Sequence, residues 1–535
     1  MAGKIVTDKK KIEESYRQLL LDESKLDPVV PKRLYLAGTT REVADAVAEC
    51  AADRLPITVS GGRTGIVGGA VPQKAGALLS IEALKTVFGL RYDHDFECWT
   101  LHVGAGVTLK ELLETLRQKR FPDDGPSRTE GELFFPVDPT ETTATLGGMA
   151  ATNASGARTL LYGPMRDWVL GLTVVLADGK VVKLRRDPGN RTGEEGGTGS
   201  SSKKVRNLEL PPPVSKTVSY RPVAIPPTKH AAGYYLTEFA EPVDLFIGSE
   251  GSLGIITELE LKCITPPAET LYLCIFLPED APEETVRRLK NAENFSPAAV
   301  EYMDENSLQL LREFRRDQGE ASGVPQLPES ARAVLYVEIG FEQQEQFLTI
   351  STEIQRILEE NGIPAENTWA GFSRRDLTAM KKFRHALPER VNAIIGTRKN
   401  SISGLTKIGT DMSVPDRSFP DQLAEYRRIL TGAGLEYCMF GHIGNGHLHV
   451  NILPKNLEEQ ESAWKLYGEF ARSVVERGGS VSAEHGIGRL KRKFMHLQFT
   501  PEELGEMHAV KAALDPQGLF SPGVLFTDDM KEERK

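Results

Sequence analysis

Residues 441–451 read GHIGNGHLHVN, and no other stretch of the chain restricts the fold as tightly. Apolar runs at 437–440 and 450–453 flank Asn445-Gly446, the strongest short-range signal for a two-residue hairpin turn. Such a turn sets Gly444 opposite His447, Ile443 opposite Leu448 and His442 opposite His449. Directly opposed residues carry Cβ atoms about 4.5–5.5 Å apart, a separation that suits two imidazole nitrogens on one metal ion. Further along, 482–486 read SAEHG, and Glu484 would add an oxygen to give three protein ligands with positions left open. That is the arrangement of a catalytic metal, and His485 would stand beside it as a free base. A solvated or hydrogen-bonded histidine pair is the competing reading, since neither zinc-finger spacing nor an H-E-x-x-H helix is present.

What such a site can serve is narrowed by the rest of the chain. Its 535 residues accommodate two or three domains, and 40% hydrophobic with 26% charged residues is a globular balance. A net charge of −10 argues against a nucleic-acid partner held by bulk electrostatics and fits small-molecule chemistry in a locally basic pocket. Cys50, Cys98, Cys263, Cys274 and Cys438 form no CxxC pair, so a reducing compartment is expected, with no disulfide framework and no iron-sulfur site. The N-terminus lacks an apolar signal core, and no uncharged apolar span of about 18 residues occurs. A cytoplasmic protein, at most peripheral at a membrane, is the expectation.

A charged amphipathic helix over 8–25 is followed by a linker with Pro28 and Pro31, a helix over 40–53 and an apolar strand at 56–59. The strand runs into Ser60-Gly61-Gly62-Arg63-Thr64-Gly65. Successive glycines let main-chain N–H groups converge on an anion with no Cβ in the way, as a diphosphate requires. A glycine-rich surface turn is the alternative, for the loop matches neither the Walker A nor the G-x-G-x-x-G pattern. In a second block, 134–167, small residues such as Thr145, Gly147, Gly148, Asn153 and Gly156 allow backbone to approach a flat ligand or, equally, a second helix. Strands at 168–176 and 181–184 should form a hairpin about Asp178-Gly179. A third block, 246–257, leads into a strand at 258–264.

Taken in order, SGGRTG, PVDPTETTATLGG with ATNASG, and GSEGSLGIIT resemble the FAD-binding domain of the vanillyl-alcohol oxidase and p-cresol methylhydroxylase superfamily. GHIGNGHLHVN, SAEHGIG and ALDPQGLFSPG narrow the resemblance to the branch of FAD-linked D-lactate dehydrogenase, D-2-hydroxyglutarate dehydrogenase and the flavin subunit of glycolate oxidase, over 34–526. Beyond the N-terminal helical extension at 1–33, it implies an α+β fold: a two-subdomain FAD-binding domain of p-cresol methylhydroxylase type at 34–267, an inserted ferredoxin-like α+β cap at 268–480, and a return to the FAD domain at 481–535. Flavin contacts are implied at Ser60, Gly61, Gly62, Arg63, Thr64, Gly65, Asp138, Thr142, Thr145, Gly147, Gly148, Asn153, Gly156, Glu250, Gly251, Gly254 and Ile256. Metal ligands are implied at His442, His449 and Glu484, with zinc first and manganese or iron as alternatives. Members with covalent flavin carry a histidine where this chain has Arg63-Thr64, so non-covalent FAD is expected. The branch carries Asn in place of His447 and of Ser521. A stretch over about 186–213, rich in Gly, Ser and Lys and longer than in relatives, reads as a mobile loop.

Within the cap, strands at 271–276 and 333–339 should alternate with helices at 282–291 and 342–361. A helix over 374–391 carries Arg384 at the position where the branch presents an arginine to the substrate carboxylate; a solvated basic face shared with Lys381, Lys382 and Arg390 is the competing reading. Lys407 lies four residues before Asp411, where the branch has a lysine two before its aspartate. The implied reaction oxidises a D-2-hydroxy acid of the lactate, glycolate or 2-hydroxyglutarate type to the 2-oxo acid. A metal polarises the hydroxyl, His485 takes its proton, hydride passes to flavin N5 and Arg384 holds the carboxylate. Implied partners are an electron acceptor (quinone, cytochrome, electron-transfer flavoprotein or iron-sulfur subunit) and a second copy in a homodimer. Two alternatives stand beside this. One is a non-redox FAD enzyme resembling alkylglycerone-phosphate synthase, which has consecutive histidines where this chain has Ala483-Glu484-His485. The other is the flavin subunit of a multi-subunit glycolate oxidase-like complex.

Overall fold

Apart from residues 157–162, the glycine blocks and the strands that feed them fall in one unit of the protein, and the histidine-rich hairpin falls in another. The computed structural model describes residues 3–119, 121–122, 131–189 and 204–527. The first unit comprises Met1–Gly156, Gly163–Pro266 and Glu484–Lys535, and the second Ala157–Tyr162 and Pro267–Ala483.

In the first unit, Arg33–Leu36 and Ile57–Ser60 flank Ala77–Ser80 in parallel, and Lys4–Val6 adds an antiparallel edge. Helix Thr40–Ala52 starts at Thr39, whose side chain accepts from the Glu42 N–H, and buries Val43, Val47 and Cys50; the cap satisfies a donor that the helix itself leaves open. A second, antiparallel sheet runs in the order Val87–Asp93, Cys98–Gly104, Ile255–Cys263, Val169–Val175, Val181–Arg185. Val169–Val175 is buried throughout, as its largely apolar sequence demands, and the turn after it holds Gly179 at φ 78°. Helix Pro501–Leu514 opens on a Thr500/Glu503 capping box with Pro501 in its first turn. The chain then returns to the first sheet, where the Ser521 N–H donates to Ile57 O at 2.8 Å.

Two expected features of this unit differ. The N-terminal helix is Lys9–Ser15 followed by the 3-10 turn Arg17–Leu20, shorter than 8–25. Of the loop expected at about 186–213, residues 190–203 lie outside the described residues; beyond them Arg206–Leu210 pairs with Lys216–Tyr220, with Leu208 and Leu210 buried. Apolar alternation in that short run outweighs the loop-like composition around it.

The second unit is an eight-stranded sheet in the order Thr368–Gly371, Glu269–Leu277, Ala333–Phe341, Pro297–Met303, Tyr437–Gly441, His447–Ile452, Ile408–Gly409, with Met412–Ser413 also paired to His447–Ile452. Helices Glu283–Lys290 and Gln344–Glu360 stand where expected, while strand Pro297–Met303 and helix Glu305–Gln318 lie between them unforeseen. Helix Arg374–Ser401 runs past the expected end at 391. It buries Met380, Phe383, Leu387 and Val391 against Phe276 and Tyr336, a one-sided apolar stripe at helical spacing. Ala157–Tyr162, which follows ATNASG directly, belongs to this unit and packs on Pro297–Met303. Among the described residues no helix is long and apolar enough to cross a membrane.

Candidate functional site

In the first unit the three glycine blocks meet. Ser60 ends a parallel strand, and the loop after it is held by Thr145, whose hydroxyl accepts from the Gly62 N–H at 3.2 Å and the Gly148 N–H at 3.4 Å. A Cβ at Gly61 would lie 2.6 Å from that hydroxyl oxygen, at Gly62 2.8 Å from Thr143 O, and at Gly156 2.2 Å from Asp138 O. Gly147 is pressed in the same way on Ala105. Backbone ties the third block to the second, the Gly248 N–H donating to Ala150 O at 2.9 Å and the Glu250 N–H to Ala151 O at 2.7 Å. Arg63, Asn153 and Glu250 take φ of 58°, 49° and 52°, left-handed conformations from which anion-binding nests are built.

Not every residue expected at the flavin faces open space. Gly65 has nothing near a would-be Cβ and Thr142 is exposed. Asn153 Oδ1 accepts from the Arg166 N–H, Gly254 is pressed on Val174 and Phe246, and Ile256 sits in the ladder opposite Val174. The Glu250 carboxylate accepts from the Ile487 and Gly488 N–H groups at 2.7 and 2.8 Å, while burial pushes its carboxyl up to about 7. These side chains shape the walls of the cradle. Ser60 Oγ and Ser155 Oγ are buried without a hydrogen-bond partner in the protein, a state native structures seldom leave unexplained. Orphaned hydroxyls at the edge of glycine loops fit a polar cofactor such as FAD.

The second unit corrects the expected hairpin register. Tyr437–Gly441 and His447–Ile452 pair as Phe440↔His449 and Met439↔Val450, so His442 does not oppose His449. The connection is a 3-10 turn, Ile443–Asn445, entered from Gly441 at φ 133° and left through Gly446 at φ 59°. Packing decides this: a Cβ at Gly446 would lie 2.2 Å from Val414 O, and one at Gly444 2.7 Å from Leu160 Cδ2. Such close neighbours override the local preference of Asn-Gly.

The wider connection draws in a third imidazole. Ring centroids are 5.3 Å apart for His442 and His447, 5.8 Å for His442 and His449, and 4.5 Å for His447 and His449. One ligand nitrogen of each lies within 4.8 Å of the others. His442 Nδ1 is 2.5 Å from Glu301 Oε1, and His449 Nδ1 is 3.0 Å from Thr410 O. A carboxylate and a carbonyl only accept, so both rings donate from Nδ1, the orientation in which Nε2 is the ligating nitrogen of a metal-bound histidine. That donor chemistry fits a borderline divalent ion. His447 is fully buried with Nε2 3.3 Å from Asp411 Oδ1. Asp411 also accepts from Ser482 Oγ at 2.8 Å, and its carbonyl from the Ala483 N–H at 3.0 Å, anchoring the segment from which Glu484 follows in the chain.

Arg384 is not part of a solvated face, whereas Lys381 and Lys382 are exposed. Its Nη2 donates to Glu301 Oε2 at 2.7 Å, so Glu301 joins Arg384 to His442. On the neighbouring strand Glu338 accepts from Arg158 Nε at 2.8 Å and from the Tyr336 hydroxyl at 2.6 Å. Neither acid belongs to a motif. The signal available in the sequence was an acid inside an apolar strand, PAAVEYM and AVLYVEIGF, where a charge persists only with partners.

Glu484 and His485 open the C-terminal part of the first unit. Lys229 Nζ lies 2.6 Å from Glu484 Oε2 and donates to Gly156 O at 3.3 Å, linking SAEHG to the second glycine block; His485 Nε2 is 3.5 Å from Glu484 Oε1. No motif had marked Lys229.

The family description "FAD linked oxidases, C-terminal domain" matches residues 265–525, and "FAD binding domain" matches 31–185. The chain is 30% identical to a D-lactate dehydrogenase of Archaeoglobus fulgidus, over 88% of this chain and 85% of that protein. It is 27% identical to a glycolate oxidase subunit of Bacillus subtilis, covering 94% and 90%, and 27% identical to a D-2-hydroxyglutarate dehydrogenase of Xanthomonas citri, covering 93% and 89%. Among solved structures, an alkyldihydroxyacetonephosphate synthase shares the fold at a TM-score of 0.62 and 17% identity, over 97% of this chain and 82% of that one. With an FAD-binding domain at one end, a matching oxidase domain at the other and relatives along nearly its whole length, the chain belongs to the FAD-linked oxidoreductases of the p-cresol methylhydroxylase type.

Proposed function

We propose that the protein oxidises a D-2-hydroxy acid, of the lactate, glycolate or 2-hydroxyglutarate type, to the 2-oxo acid. FAD is held non-covalently by the glycine blocks, and a divalent metal, zinc by its nitrogen donors, is held by His442, His449 and Glu484. The observation that carries the reading is the histidine cluster, in which the Nδ1 of His442 and of His449 each meets an acceptor and ligand atoms of His442, His447 and His449 lie within 4.8 Å of one another. The substrate class comes from the names of the relatives that match along the chain. When bound, FAD supplies the two-electron acceptor that no side chain can provide, and the metal supplies the positive charge that makes a secondary alcohol acidic near neutral pH. His485 is the base that takes the hydroxyl proton. Arg384 grips the substrate carboxylate with parallel N–H groups. In this reading residues 34–267 and 481–535 carry the flavin, 268–480 cover the substrate, and a cytoplasmic enzyme passes its electrons to a quinone, cytochrome, flavoprotein or iron-sulfur subunit.

Anaerobic mixing of the purified protein with D- and L-2-hydroxy acids, glycolate included, tests this. Bleaching of the flavin spectrum by D-acids or glycolate is expected; bleaching by L-acids alone, or by none, overturns the reading. Acid precipitation should leave FAD in the supernatant, and flavin retained on the pellet contradicts non-covalent binding. Dye reduction by the chain alone separates a self-sufficient dehydrogenase from a subunit that needs an iron-sulfur partner.

A further inference from the structure

Glu301 touches two of the side chains assigned above, His442 and Arg384. It lies in Pro297–Met303, a strand buried at every position, and is itself 5% exposed. Its Oε1 is 2.5 Å from His442 Nδ1 and its Oε2 2.7 Å from Arg384 Nη2. A carboxylate withdrawn from water has to be paired, and here each oxygen meets a donor. The strand beneath it is held between Ala333–Phe341 and Tyr437–Gly441, so the carboxylate stands on a rigid base.

We propose that Glu301 is the positioning residue of the centre: one buried carboxylate orients the metal-binding imidazole of His442 with one oxygen and the substrate-binding guanidinium of Arg384 with the other. This rests on the metal and substrate reading proposed above. Accepting the Nδ1–H holds the ring in a single tautomer, aims Nε2 and raises its basicity. Arg384 reaches the site on a long, rotamer-rich side chain, and the second oxygen restricts the directions it samples. Spacing between metal and carboxylate clamp is thereby set by a single side chain. A merely structural Arg–Glu pair filling a polar gap would leave metal affinity untouched.

Glu301→Gln keeps the shape but replaces one acceptor oxygen by an NH2 donor, so it serves His442 or Arg384 and not both. The FAD-loaded full chain, stripped of metal, is titrated with Zn2+ against a chromophoric chelator. E301Q should bind zinc about 10- to 100-fold more weakly, Glu301→Asp should recover part of that loss, and the D-lactate KM should rise more than kcat falls. FAD stoichiometry and near-UV circular dichroism report folding; should E301Q not fold, zinc binding by E301D, expected to be weakened, decides in its place. Wild-type zinc affinity in the folded variant overturns the positioning role. His442→Ala in the same titration separates the two ideas. Loss of zinc there with wild-type affinity in E301Q sinks the positioning role alone, whereas unchanged zinc binding in both removes the metal reading and this inference with it.

Discussion

The glycine blocks of the first unit and the histidine cluster of the second are built by opposite means. In the first, backbone forms the surface: Gly61, Gly62, Gly147 and Gly156 stand where any Cβ would collide with a neighbouring stretch of chain. In the second, side chains from distant strands and a helix converge, with Glu301, Thr410 and Asp411 orienting the imidazoles. A backbone-built site is damaged by adding atoms, and a side-chain-built site by removing them. The two should therefore fail separately, one losing flavin and the other losing metal and chemistry.

The largest effect expected is from His485→Ala, which should retain FAD and zinc yet slow flavin reduction in stopped flow by about 10²- to 10⁴-fold; wild-type reduction rates end its assignment as base. Next, His442→Ala, His449→Ala and Glu484→Gln should each lose metal by elemental analysis and lose turnover while FAD stoichiometry stays at the wild-type level. Loss of flavin along with metal in these variants would break the comparison. Arg384→Ala should raise KM by roughly 10- to 100-fold, the worth of a charge-assisted hydrogen bond at about 1.5–3 kcal/mol, with Lys382→Ala as the exposed control. Equal defects in the two would demote Arg384 to general electrostatics.

Smaller effects fall on the first unit. Gly62→Ala places a Cβ 2.8 Å from Thr143 O and should lower stability by about 1–3 kcal/mol. Its FAD:protein ratio should fall while the metal content remains, and a wild-type ratio would show that the cradle tolerates added atoms. Glu250 carries the smallest. Its folded carboxyl titrates near 7, above the ordinary value of 4.5, so the folded state holds the proton more tightly. The associated stability is present in full below about 4.5 and is lost as pH rises to about 7, with a slope of at most roughly 1.4 kcal/mol per pH unit. Glu250→Gln should flatten that decline in denaturant melts, and an unchanged slope would assign it to other groups.

Legibility in the sequence followed the same division. Glycine blocks were readable because chain that packs this closely on its neighbours has to be written as glycine, and no later packing can remove that requirement. The hairpin about Asp178-Gly179 was readable because its turn conformation is local. At Asn445-Gly446 the same kind of signal misplaced the register, since Val414 and Leu160 press on the connection and widen it. His447 then joined a cluster that the two-residue turn had left it out of.

By itself the sequence determined the order of the glycine blocks, the apolar strands and capped helices that carry them, and which residue types were present for redox and metal chemistry. Only the tertiary structure decided partners. Glu301 reaches His442 across 141 residues and Arg384 across 83, and Ala157–Tyr162, inside the second glycine block, belongs to the second unit. The reason is physical: turn propensity and periodicity act between neighbours in the chain, whereas a buried charge is held by whatever donor the folded packing sets within hydrogen-bond reach of it.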